Sequence, residues 1–256
     1  MGRPGREAVR QAVPQLREEF SPDLVIVNIE NSAHGNGISP DTFAEFAPLQ
    51  IDAYTTGDHA WDNELGHELL QDVSLPIVRP ANYSNDVPGR GYQLLSSGAW
   101  QVALINLQGQ VFFKNQPDNP FRTMDELLKI PEVKKAHIKL VDFQAEATSE
   151  KRGLGWHLDG RVAAIWGTHT HVPTADAQIM PQGTGYISDL GMCGLHRSII
   201  GADPEGPMKG FLTQMKFKLS YDGDGPLEVG GLVLDIDPQT GTTTQIEPIW
   251  RVLERE

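Results

Sequence analysis

Short apolar runs alternate along the chain with stretches of helical periodicity, and the runs repeatedly stop at polar clusters. After a turn at Met1-Gly2-Arg3-Pro4-Gly5, Arg6 to Phe20 places Val9, Val13 and Leu16 on one helical face, with Pro14 expected to bend or locally break it. Asp23 to Asn28 reads as a buried strand running into Glu30 and Asn31. Pro40 to Pro48 reads as a short helix, Ala53 to Thr56 as a second strand ending at Asp58 and His59, and Asp62 to Asp72 as another helix. Gln101 to Leu107 and His137 to Phe143 are strands separated by a helix over Met124 to Ile130, the second strand ending at Gln144. Arg161 to Trp166 is an apolar strand closed by Gly167 and followed by Thr168-His169-Thr170-His171. Pro207 to Met215 has helical character, and Leu227 to Ile236 with Thr242 to Trp250 alternates as a closing antiparallel hairpin.

This succession of strands and helices predicts an α/β fold. No long linker or low-complexity stretch divides the 256 residues, so one domain over 1–256 is expected. In layered α/β folds ligands gather beyond strand ends. The polar clusters Glu30-Asn31, Asp58-His59, Gln144 and His169/His171 are therefore expected to converge. Singly, each has an ordinary structural reading: a turn cap for Glu30-Asn31, a helix N-cap for Asp58, a loop histidine for His59. His169 and His171, two apart in an extended chain, would emerge on the same side, either as the start of a metal site or as two solvent-facing loop residues. Four coincidences at four strand ends are harder to accept than one.

Composition narrows the classes. Apolar content of 39% and charged content of 21% are those of an ordinary soluble globular protein. A formal charge of -13 argues against a docking surface for a nucleic-acid duplex, which needs clustered Lys and Arg, but not against a small nucleotide held through cations. The single cysteine, Cys193, rules out an internal disulfide and fits a reducing compartment. With no apolar run of transmembrane length and no signal-peptide core, a cytoplasmic location is expected. Self-association is left open.

Carboxylates, amide oxygens and imidazoles are the ligands that hold Mn, Fe or Zn in pairs for hydrolysis. Such a pair binds phosphate oxygens, lowers the pKa of a bound water and offsets charge on the phosphorus. His59, following Asp58, would then protonate the leaving oxygen as a general acid.

Val27-Asn28-Ile29-Glu30-Asn31-Ser32-Ala33, Thr56-Gly57-Asp58-His59-Ala60-Trp61, Arg79-Pro80-Ala81-Asn82-Tyr83, Asn119-Pro120-Phe121-Arg122-Thr123, the run Val141 to Lys151, and Gly167-Thr168-His169-Thr170-His171 closely resemble the YmdB-type metallophosphoesterase family, in order and over essentially the whole chain. The resemblance implies a four-layer sandwich, two packed mixed β-sheets flanked by helices. It implies a dinuclear-metal phosphodiesterase acting on small phosphodiesters, 2',3'-cyclic or 3',5'-cyclic nucleotides. Carried across by position, Glu30 would bridge or nearly bridge the metals, Asn31 would be a neighbouring ligand, and His59 the proton donor. Asp58 stands where the family has an asparagine ligand and Gln144 where it has a histidine ligand; His169 and His171 match unchanged.

Three departures follow from the same resemblance. The family opens with a strand ending in Gly-Asp-Val, whose aspartate is a ligand, and that first strand is missing here; either Met1 is internal to a longer natural chain, which is the expectation, or the chain is short and lacks a buried strand. Asp58 keeps an oxygen ligand but adds negative charge. Gln144 offers a neutral amide oxygen, a poor ligand for a borderline-soft metal, so the second metal is expected to be loosely held or absent. The alternative function is a catalytically inactive binding or regulatory protein that keeps the fold. An amidohydrolase using the His169/His171 pair is disfavoured, since those enzymes carry such a pair near the start of a barrel.

Overall fold

The structure, a computed structural model, describes residues 1–255. Helix α1 (Gly2–Phe20) leads into β1 (Ile26–Asn28), α2 (Pro40–Ala44), β2 (Ala53–Thr55), α3 (His67–Gln71) and β3 (Ile77–Val78). There follow β4 (Tyr92–Ser97), β5 (Trp100–Gln108), α4 (Pro120–Leu127), α5 (Pro131–Lys135), β6 (Ile138–Gln144), α6 (Thr148–Leu158) and β7 (Ala164–Thr168). The chain closes with β8 (Gln178–Ile179), β9 (Gly185–Ile187), β10 (Cys193–Leu195), α7 (Glu205–Thr213), β11 (Leu227–Asp237) and β12 (Thr242–Leu253).

Hydrogen bonding sorts these strands into a six-stranded mixed sheet in the order β4-β5-β6-β7-β9-β8, a parallel sheet β1-β2-β3 and an antiparallel sheet β10-β11-β12. Alternation along the central strands explains the layering. Ile105, Val141 and Ile165 pack on one face with Met124 and Leu127 of α4 and Leu154 and Leu158 of α6. Their neighbours Leu104, Leu140 and Ala164 pack on the other, against Ala53, Val78, Ile26 and the β11 side chains Leu232 and Leu234. The outer helix α1 covers the far side, its Val9 and Val13 meeting Ile29 and Tyr54 and its Ala8 and Ala12 meeting Leu227 and Val229. Helices, sheet, sheets and helix thus form the expected four-layer α/β architecture.

Several local expectations are corrected. The turn over Met1 to Gly5 is not there: α1 starts at Gly2 and runs unbroken through Pro14. Pro14 points to solvent, and the burial of Ala8, Val9, Ala12 and Val13 on two sides outweighs the lost backbone bond. The first strand after α1 is shorter than Asp23 to Asn28 and only half-buried, because β1 is a sheet edge. Pro40 to Pro48 divides into α2, with a Ser39/Thr42 capping box, and a 3-10 turn Ala47–Leu49. Asp62 to Asp72 likewise holds a 3-10 turn Glu64–Gly66 and then α3. The helix expected over Met124 to Ile130 begins earlier, where Asn119 Oδ1 accepts from the backbone of Phe121 and Arg122 ahead of Pro120. The segment expected helical over Pro207 to Met215 is α7, Glu205–Thr213. Strands β3, β4, β8, β9 and β10 were not expected. Among the described residues no helix is long and apolar enough to cross a membrane.

Candidate metal centre

The carboxyl ends of β1, β2, β6 and β7 meet. Parallel pairing sets Asn28 beside Thr55 and Gln144 beside Thr168, so the residues just beyond each strand leave the two sheets at one level. The sheets are stitched together there by Asp142, which is fully buried. Its Oδ2 accepts from Asn28 Nδ2 at 3.1 Å and from the Thr55 hydroxyl, and its Oδ1 accepts from the Thr168 hydroxyl at 2.8 Å. Burial pushes the Asp142 carboxyl up from 3.8 to about 6 despite those three donors.

Glu30, Asp58 and His169 each offer a ligand atom, all within 4.8 Å of one another. Glu30 is 2% exposed; burial first, then the negative charge of Asp58, holds its carboxyl well above the usual carboxylate range. Burial acts on Asp58 in the same sense, but the His169 hydrogen bond, the charge of His59 and the Gln144 amide win and hold it at about 2. Two carboxylates and an imidazole so close, one of them deeply buried, form a donor set suited to a divalent cation. The approach depends on Gly57: a Cβ there would lie 2.1 Å from Glu30 Oε2 and 2.5 Å from Gln144 Cδ.

Gln144 lies in the middle of this group with its nitrogen turned inward. Nε2 is 2.5 Å from Glu30 Oε1, 2.9 Å from Asp58 Oδ1 and 2.9 Å from His169 Nδ1. It therefore donates where a ligand would present oxygen. His169 Nε2 contacts Glu146 Oε2 at 3.1 Å. With the proton on Nε2, shared with Glu146, Nδ1 carries the lone pair a ligand needs; with it on Nδ1, the ring donates to Asp58 Oδ1 at 3.4 Å instead.

His169 and His171 do not follow extended alternation: both have left-handed backbone, at φ 97° and 64°. They nevertheless line one cavity of about 480 Å³ together with Glu30 and Asn31. His171 Nδ1 contacts Ile200 O at 3.3 Å, which makes it the donor and leaves Nε2 free. Burial, then the Met1 ammonium, pushes the His171 imidazole down to about 4, so it is neutral at pH 7. Asn31 Nδ2 donates to Gly35 O at 2.8 Å, fixing its amide.

His59 stands at the rim. Its Nδ1 is 2.6 Å from Asp62 Oδ2 and its Nε2 3.9 Å from Asp58 Oδ2, with its backbone N–H directed to Glu30 Oε2. Asp62 thus fixes the ring so that Nε2 faces the site. Nearby, Trp61 packs on Tyr83 at 4.7 Å between ring centroids, and Phe113 on His169 at 4.7 Å.

All seven predicted site residues fall in this region, although only Glu30, Asp58, Gln144, His169 and His59 contact one another directly. Asp62, Glu146, Thr168 and Phe113 were not anticipated. A faint signal existed for Asp62 in its three-residue spacing from His59; Phe113 lies in a loop with none.

The family model described as "YmdB-like protein" matches residues 1–249. The chain is 41% identical to the 2',3'-cyclic-nucleotide 2'-phosphodiesterase of Bacillus subtilis over 249 residues, covering 97% of this chain and 93% of that one. The solved structure of a novel phosphatase from Mycoplasma pneumoniae superposes with a TM-score of 0.90 at 32% identity, covering 99% of this chain and 90% of that one. A hypothetical protein from Thermus thermophilus superposes with a TM-score of 0.89 at 36% identity, covering 100% of this chain and 96% of that one.

Proposed function

This chain belongs to the YmdB-like family, and on that footing we propose that it is a divalent-metal-dependent phosphodiesterase acting on small cyclic nucleotides, the 2',3'-cyclic forms foremost. Phosphoesterase activity is what the named relatives have in common. The observation that carries the metal-dependent reading is the trio Glu30, Asp58 and His169, whose ligand atoms lie within 4.8 Å. Asn31, His171 and a turned Gln144 would complete a second position beside it. When bound, a divalent cation supplies Lewis-acid polarisation of the phosphoryl group and acidification of water.

The chain's own residues do the rest. Asp62 holds His59 through Nδ1, so that the proton on Nε2 is directed to the leaving oxygen. Glu146 holds His169 in its ligating tautomer. Phe113 packs against the His169 ring and limits its movement. Glu30 and Asp142 lie deeply buried beneath the site.

The test is hydrolysis of 2',3'-cyclic nucleotides by purified protein with added manganese or iron. Turnover that disappears with a chelator and returns with metal supports the proposal; no turnover above the metal-free background, in a folded sample that binds manganese, removes the catalytic reading. The second reading, a non-catalytic binding protein that keeps the fold, is favoured by the Gln144 nitrogen lying among the three ligand atoms. Metal stoichiometry separates them: close to two ions per chain for the enzyme, one or none for the alternative.

A further inference from the structure

We propose that the Gln144 side-chain amide is a two-position latch on the cation site, with the Thr168 hydroxyl as the catch that receives it when it opens. The inference rests on the reading that Glu30, Asp58 and His169 hold a divalent cation, and concerns what this chain does to that affinity.

Gln144 is fully buried, yet in the ligating tautomer of His169 its amide nitrogen faces three acceptors, Glu30 Oε1, Asp58 Oδ1 and His169 Nδ1, with only two protons to give. A donor in that position substitutes for a cation: it relieves the repulsion between two carboxylates and ties the imidazole lone pair to them. It also excludes a cation, because N–H bonds directed at the trio repel positive charge.

The other end of the amide is poorly matched in this orientation. Thr168 Oγ1 lies 2.7 Å from Gln144 Oε1 and 2.8 Å from Asp142 Oδ1. One hydroxyl proton cannot satisfy both oxygens, and with the proton on the Asp142 contact two oxygens face each other without a hydrogen between them. Turning the amide by half a revolution, which changes no volume, reverses this. Nε2 then donates to Thr168 Oγ1, Thr168 donates to Asp142 Oδ1, and Oε1 faces the trio as a ligand-type oxygen. That chain of three groups is fully paired only if a cation takes over the stabilisation of the carboxylates. The amide is therefore inward when the trio is empty and outward when it is filled, and the closed population lowers the apparent affinity.

Thr168 is on this account a positioning residue, and metal affinity is its readout. Manganese binding is measured by calorimetry on the full chain and on Thr168→Val, Thr168→Ser, Gln144→His and the Gln144→His/Thr168→Val double variant. Thr168→Val keeps the shape and deletes the catch, so affinity should fall about tenfold by loss of the open state, and Thr168→Ser should restore it to within about twofold. With Gln144→His there is no amide to turn, so affinity should rise and the valine substitution should matter by less than about twofold in that background. Unchanged affinity in Thr168→Val, or an equal loss with and without Gln144, overturns the latch. Manganese binding by none of the proteins overturns the metal reading together with it, whereas binding without cyclic-nucleotide hydrolysis removes the catalytic reading and leaves the latch to be judged on affinity alone. Should Thr168→Val fail to fold, the side-chain amide resonances of Gln144, identified by their loss in Gln144→His, give the same answer. A large shift of both amide protons on zinc titration supports the turn, and unshifted resonances at saturating zinc refute it.

Discussion

At the scale of single residues, the site is a problem in placing charge. Glu30 is an acid that burial, and then Asp58, keep from ionising readily. Because its folded pKa is raised, the folded state holds its proton more tightly than the unfolded chain does. The resulting stabilisation is present at low pH and is lost as pH rises from the ordinary carboxylate range through the raised value. Glu30→Gln removes that loss. In chelator, the melting temperature of Glu30→Gln should match the parent near pH 4 and exceed it increasingly toward pH 7, while manganese binding is abolished. The comparison between variant and parent matters because His171, pushed down to about 4, contributes with the opposite slope over part of the same range. His59 is the other residue with a distinct readout: His59→Ala should lower kcat by about a hundredfold or more with little change in KM. Asp62→Asn, which replaces the charged acceptor of His59 Nδ1 with a neutral amide oxygen, should lower kcat by about tenfold and shift the pH dependence of kcat. The sequence made Glu30, Asp58, His59, Gln144 and the histidine pair conspicuous because each follows a strand end and carries ligand or proton-transfer chemistry. It did not reveal that Gln144 is turned the wrong way round for a ligand, since amide orientation is decided by partners from three other loops. Glu146 and Thr168 were hidden for the same reason: their chemistry is ordinary and only their neighbours in space make them part of the site.

At the scale of elements, the strands with long apolar runs were legible and the short ones were not. β5, β6 and β7 are buried on both faces over most of their length and read directly from their predominantly apolar residues, with Asn106 and Asp142 as buried polar exceptions. β3 and β8 have two residues each and β10 three, too few to show a period, and exist because longer strands offer them an edge. Pro14 misled for a related reason: local propensity argues for a break, while burial of the helix face on both sides is invisible to a local reading. Pro14→Ala should therefore stabilise the fold by up to about 3 kcal/mol, the usual penalty for an interior helix proline, seen as a higher melting temperature with unchanged metal binding. The loop after β2 is the opposite case, where a small change should be costly. Gly57→Ala puts a Cβ 2.1 Å from Glu30 Oε2 and forces Glu30 or Gln144 aside. Manganese affinity should fall by at least about tenfold, and a variant binding as the parent does would show that the loop moves freely.

At the scale of the molecule, two sheets from distant parts of the sequence must be held in register for the trio to exist, and the histidine turn must be held in place beside them; one buried acid serves each need. Asp142 ties β1 and β2 to β7. Asp189, beyond β9, ties the histidine turn to α6. Its Oδ2 accepts from Lys151 Nζ at 2.7 Å, from Thr170 N at 3.1 Å and from Thr170 Oγ1 at 2.7 Å, with Lys151 only 2% and Asp189 1% exposed in their side chains. An ion pair so deep is expensive to desolvate, and its removal as a pair need cost little; leaving one partner alone is what costs. Lys151→Met strands a buried carboxylate and should lower stability by about 3–5 kcal/mol in chemical denaturation. Lys151→Met/Asp189→Asn should recover much of that, because the uncompensated charge is gone. Metal affinity should not recover with it: Thr170 loses its charged acceptor, and the left-handed backbone at His169 and His171 loses the contact that holds it. Parallel recovery of stability and affinity would show that the pair serves the fold alone, whereas stability without affinity makes it the strut that sets the histidines against the opposite sheet.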